Sequence, residues 1–178
     1  MQPTNTADDL GVNSRAGNPL PLQMQAQLMN NWGWAAVSSS VNDYYFGGHD
    51  YDNTQDKLVG KSFGGLCATN PRAKQCDLPN ILDAGLILTN RYNATIDGAL
   101  PLTTIQSEID AGRPIVVAIV SRGSGQPLQL VIIGYDESAN IIFKSPAFGD
   151  EARALPLAGF PGNLFANYQW RESCTTRS

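Results

Sequence analysis

The stretch Asn31-Trp32-Gly33-Trp34-Ala35-Ala36 decides how this chain is read. Two tryptophans flank a glycine at the head of a run in which Trp34, Val37 and Val41 fall on one helical face. That spacing predicts a helix over Leu28 to Tyr45, stopped by Gly47-Gly48. Gly33 is the unusual member. It has no side chain, so this helix start cannot form a covalent intermediate with a substrate there.

Outward from this helix the pattern changes character once. Thr54 is placed to cap a short helix through Val59 and Phe63, a loop runs from Gly64 to Lys74, and Leu78 to Leu86 fits another helix. Leu102, Ile105 and Ile109 stand at helical spacing, with Thr103 able to cap the start and Gly112 and Pro114 marking the stop. Strand-type runs follow at Ile115–Val120, Leu128–Tyr135, Ile141–Lys144 and Tyr168–Glu172, with turns at Ser121–Gln126 and Asp136–Asn140. Helices first and antiparallel strands second predict an α+β fold. Residues 1–20 show no periodicity and are expected to be an extended arm or leader remnant ahead of one domain over 21–178.

Composition narrows the partners. The chain has 178 residues, enough for one domain with a sizeable core, with 42% hydrophobic and 16% charged residues. A net charge of −4 and a pI near 4.8 argue against nucleic acid, which needs a basic face. No apolar run approaches the roughly 18 residues of a membrane helix. The N-terminus has neither the basic start nor the apolar core of a signal peptide. The protein is therefore expected in the cytoplasm, or outside it if a leader has been removed. Three cysteines, Cys67, Cys76 and Cys174, do not make a disulfide scaffold or a zinc spacing. Asp50, Asp52 and Asp56 lack the glycine and closing glutamate of an EF-hand, so no metal or cofactor is expected.

With cysteine in place of Gly33 the opening stretch would read Asn-Trp-Cys-Trp-Ala-Ala, and in that form it resembles the nucleophile helix of bacterial papain-like cysteine peptidases, the C39-like and C70-like group. The likeness extends along the chain. Gln27 lies six residues before Gly33, the separation of the oxyanion-hole glutamine from the nucleophile in that family. The segment Gly64–Leu78, with Cys67, Asn70-Pro71 and Cys76, resembles a cysteine-bearing loop of its secreted members. Ile109 to Val117 resembles the family's Gly-Arg-Pro lead into the central strand, and Leu130 to Asp136 the strand after the catalytic histidine. Ile142 to Ala147 resembles the strand that ends in Asp-Pro, and Trp170 with Thr175-Thr176 the closing strand.

The resemblance implies a papain-like fold, with a helical N-terminal half and an antiparallel sheet in the C-terminal half. It also implies that the catalytic groups are gone. Gly33 stands for the nucleophile and Ser145 for the orienting Asp or Asn. Counting back from Gly134 puts Leu128 at the histidine, or Gln129 if the register slips by one. Such groups depend on one another, so losing one already removes most of the rate. The resemblance thus implies a pseudopeptidase that binds a peptide-like or apolar ligand, or a protein partner, in the former substrate cleft. Gln27, Asn31, Trp32, Gly33 and Trp34 are expected on one wall and Leu128 and Gln129 on the other. Trp34 has a second reading as the core residue that seats the helix. Replacing histidine with Leu128 would make the far wall apolar. The alternative use is non-covalent catalysis, a cyclisation or isomerisation by binding and desolvation. An active peptidase is the weakest reading. The family loop implies a Cys67–Cys76 disulfide in an oxidising compartment.

Other residues have blander readings. His49 is the one histidine and sits in a glycine-rich loop, where a solvated side chain is expected. Ser38, Ser39 and Ser40 follow the helix start and are expected to be structural. Cys174 is expected to be a small buried hydrophobe.

Overall fold

The computed structural model describes residues 19–178. Most of the expected N-terminal arm lies outside the described residues. Pro19 and Leu20 do not, and they lie against the sheet: the Leu20 N–H donates to the Ile133 carbonyl at 2.7 Å, and Pro19 sits over Gly134, where an added Cβ would approach its Cα to 3.1 Å.

The chain is α+β. Among the described residues five α-helices, α1 (Gly33–Phe46), α2 (Gln55–Phe63), α3 (Gly65–Thr69), α4 (Ala84–Leu88) and α5 (Leu102–Asp110), and a short 3-10 turn at Lys74–Cys76 accompany six strands. The strands are β1 (Tyr92–Asp97), β2 (Ile115–Ser121), β3 (Pro127–Tyr135), β4 (Asn140–Ser145), β5 (Gly149–Pro156) and β6 (Tyr168–Thr176). They form one antiparallel sheet in the order β1-β6-β2-β3-β4-β5.

Both faces of the central strands are covered, which is why β2 reads as an unbroken apolar run. Successive side chains point to opposite faces. Ile115, Val117 and Ile119 of β2, with Leu130 and Ile132 of β3, pack beneath Ile105 and Ile109 of α5. Val116 and Ala118, with Val131 and Ile133, pack instead against Val37 and Val41 of α1 and Leu86 of α4. A third cluster unites Trp32, Trp34, Ala35, Leu58, Val59 and the two cysteines Cys67 and Cys76.

Several boundaries differ from the sequence expectation for identifiable reasons. Helix α1 starts at Gly33 and not at Leu28, because the residues before it spend their polar groups elsewhere. The Leu28 N–H donates to Gln55 Oε1 and the Asn31 N–H to Asp77 Oδ1. Its end is set by Gly47 in the left-handed region at φ 78°, a position that favours glycine. The helix expected over Leu78–Leu86 shrinks to α4, since Pro79 and Asn80 belong to the cleft wall. Thr54 caps α2 as expected, accepting from the Lys57 N–H, whereas Thr103 does not cap α5, which begins after Pro101. Strands β1 and β5 were not apparent from the sequence. Both lie at sheet edges with mostly exposed side chains, so neither carries an apolar signal.

Candidate functional site

The start of α1 faces the start of β3, and their junction is the candidate site. Gly33 opens the helix, and Trp32 before it offers no side-chain cap. Among the described residues no acceptor meets the N–H groups of Gly33, Trp34 or Ala35, and the first bond of this turn is Ala36 N–H to the Trp32 carbonyl at 2.9 Å. A helix start left in this state carries partial positive charge.

Gln129 stands opposite. It alternates with Leu130 along β3 and so shares the α1 side of the sheet with Val131 and Ile133. Its Oε1 lies 3.0 Å from where a Cβ on Gly33 would stand, and Gln27 Oε1 lies 3.4 Å from the same point. The Gln27 amide is pinned, since its Nε2 donates to the Asn30 carbonyl at 2.8 Å. Ser145 is fully buried behind β3, and its hydroxyl donates to the Gln129 carbonyl at 2.8 Å. It holds the Gln129 backbone and does not reach the Gln129 amide. The cleft between these elements has a volume of about 70 Å³.

Three sequence expectations are corrected here. Leu128 borders the cleft mouth but packs its side chain with the α5 core on the other face of the sheet. The residue facing Gly33 is Gln129 and not Leu128, so the far wall is polar, not apolar. Trp32 does not line the cleft. It is fully buried, with its indole N–H donating to the Cys76 carbonyl at 2.9 Å. Trp34 does both things expected of it: it borders the cleft, and it is buried to 1%, edge-on to Phe63.

Cys67 and Cys76 are joined by a disulfide. The residues after it anchor the helix start. Cys76 accepts from Trp32, and Asp77 accepts from the Asn31 N–H at 2.8 Å and from Asn31 Nδ2 at 3.0 Å. Leu78 accepts from the Trp34 indole at 3.2 Å. The bridged loop therefore fixes where Gly33 stands. Asn30, Pro79, Asn80, Gln126 and Pro127 also line the cleft. Sequence reasoning missed them, because turn residues of these types occur in any polar loop.

The remaining residues fall elsewhere. His49 lines a separate groove at the far end of α1, with Nδ1 3.0 Å from Asp43 Oδ2. Asp50 organises a turn, and the hydrogen bond from Asn53, with others from Asn42 and the Asp52 N–H, holds its carboxyl below the ordinary value. Asp56 forms a two-point ion pair with Arg72. Among the described residues no three His, Cys, Asp or Glu side chains are grouped to hold a metal ion. Ser38, Ser39 and Ser40 are fully buried, and the Ser40 hydroxyl donates to the Ala36 carbonyl. Cys174 is buried, and burial pushes its thiol up to about 11.

No family model matches the sequence, and no curated protein matches it. Among solved structures, a candidate C39-like peptidase from Bacillus anthracis is similar at 11% identity and a TM-score of 0.49, covering 89% of this chain and 96% of that chain. At that level the two are alike in outline only, and nothing about activity passes from one to the other.

Proposed function

We propose that this chain is a papain-like domain that binds peptide without cleaving it. One observation supports the reading above the others. Gly33 and Gln27, which the motif resemblance sets at the places of nucleophile and oxyanion donor, line one cleft with Gln129, the one-residue slip from the Leu128 that it sets at the base, and Ser145, at the orienting place, is buried beside Gln129. None of them can carry covalent hydrolysis. Glycine offers no nucleophile, a carboxamide takes no proton from a thiol near neutral pH, and Ser145 is committed to a backbone carbonyl. What survives is a helix start with free N–H groups, a polar wall and a bridged loop that holds both. These are parts that bind an extended amide chain.

The test is a peptide turnover assay on purified wild type, Gly33→Cys and the double variant Gly33→Cys/Gln129→His. Wild type and the single variant are expected to be inactive, the single because no base lowers its thiol pKa. The double variant is expected to gain turnover that iodoacetamide blocks, while Gly33→Cys/Leu128→His gains none. Iodoacetamide-sensitive turnover by wild type would refute the reading.

A further inference from the structure

Among the described residues six carboxamide side chains line the cleft at Gly33, those of Gln27, Asn30, Asn31, Asn80, Gln126 and Gln129, and no charged side chain does. Three of these amides are already engaged. Gln27 donates to Asn30, Asn31 donates to Asp77, and Asn80 accepts from the Ile81 N–H at 2.9 Å. Asn30 and Gln126 are exposed to water. Gln129 differs from all of these. It is 7% exposed, its side chain has no hydrogen-bond partner among the described residues, and its amide points at the space over Gly33. Its amide opens onto the cleft, so what enters the cleft decides how its valences are filled.

We propose that this pocket receives an uncharged carboxamide, the side-chain end of a glutamine or asparagine in the bound peptide. The proposal rests on the peptide-binding reading above and specifies what the cleft selects. The donors and acceptors match such a group. Its oxygen meets the free N–H groups at the start of α1, and its NH₂ meets Gln27 Oε1, which faces the pocket because Nε2 of the same side chain is fixed on Asn30. Gln129 can pair with it in a cyclic two-bond arrangement, since one carboxamide complements another. A carboxylate would also meet the helix start, but it fits less well. It would place an anion against the fixed Gln27 oxygen, has no N–H to give that oxygen or Gln129 Oε1, and finds no cationic side chain among the described lining residues. An apolar end group would leave the Gln129 amide unpaired. At about 70 Å³ the space suits a small planar end group.

Calorimetry with three capped probes tests this: acetyl-Ala-Gln-Ala N-methylamide and its Glu and Leu counterparts, titrated at neutral pH. The N-methylamide cap keeps the probe ends from supplying a primary carboxamide of their own. The Gln probe is expected to bind roughly tenfold or more tightly than either of the others, the effect of filling or stranding one buried polar group. Gln129→Leu should erase the difference between the Gln and Leu probes, and retention of that difference would overturn the role of Gln129. Equal binding of all three probes to wild type would overturn the carboxamide assignment and leave the peptide-binding reading standing. Binding of none at millimolar concentration would overturn both.

Discussion

Helix α1 has a pocket at each end, and the two hold opposite kinds of residue. At its start the cleft is small and lined by amides, with no charged side chain among the described residues. At its end a groove of about 640 Å³ carries Asp43, His49 and Asp150. The larger, charged groove is the more obvious place to look for chemistry, and it contains the chain's one histidine beside a carboxylate. Its polar groups, however, are already occupied. Asp43 accepts from Gln25 Nε2, the Asp50 N–H and His49. Asp150 accepts from the Met24 N–H and Lys144 Nζ, both at 2.6 Å. These contacts staple the segment before α1 and the loop after it to the rest of the molecule. The start of α1 keeps free N–H groups and an unpartnered amide. Capacity for a ligand lies where hydrogen bonds are unfilled, and titratable residues alone do not mark it.

The contrast can be broken by mutation. The largest effect is expected at Trp32, whose replacement by alanine removes a fully buried ring and the indole bond to Cys76. Urea unfolding should show a loss of about 3–5 kcal/mol. Removing the bridge with Cys67→Ser/Cys76→Ser should cost about 2–3 kcal/mol by the loop-entropy estimate. It should also weaken peptide binding, because residues 76–78 position the helix start; unchanged binding would mean that Gly33 is held by packing alone.

The charged end should respond to pH in a defined direction. The Asp50 carboxyl lies below its ordinary value of 3.8, held there by the Asn53 hydrogen bond and others. The group therefore binds protons more readily in the unfolded chain. Its contribution is present above 3.8 and is lost as pH falls through the lower folded value. The stability difference between wild type and Asp50→Asn should shrink across that acid range and stay flat from pH 5 to 7; a difference constant down to the acid limit would contradict the assignment. The smallest effect is expected for His49→Ala. The imidazole is 45% exposed, and the pair with Asp43 should contribute no more than about 1 kcal/mol. A loss comparable to that of Trp32→Ala would erase the distinction between the two ends.

How much of this was legible in the sequence varied with burial. The central strands, α1, α2 and α5 announced themselves through apolar spacing, and Thr54 through its capping position. β1 and β5 did not, since an edge strand such as Gly149–Pro156, with Asp150, Glu151 and Arg153, has no buried face to pattern. At the site, the resemblance to papain-like motifs points to Gly33 and Gln27, whereas the choice between Leu128 and Gln129 depends on a one-residue register. The pleat turns that slip into the opposite face of the sheet. Trp32 was misplaced because a tryptophan next to a cleft residue gives no sign of which way its ring turns. That direction is set by the Cys76 carbonyl, 44 positions away.

The sheet order carries a consequence for how the chain folds. β6 lies between β1 and β2 and, among the described strands, is the one neighbour of β1. Until Tyr168–Thr176 docks, β1 has no partner among the described strands, and the inner edge of β2 stays open. A chain in which that segment has yet to dock therefore offers two unpaired strand edges to other chains. A chain released after residue 167 should be cut by a protease within Tyr92–Asp97, a segment that resists cutting once Tyr168–Thr176 is in place.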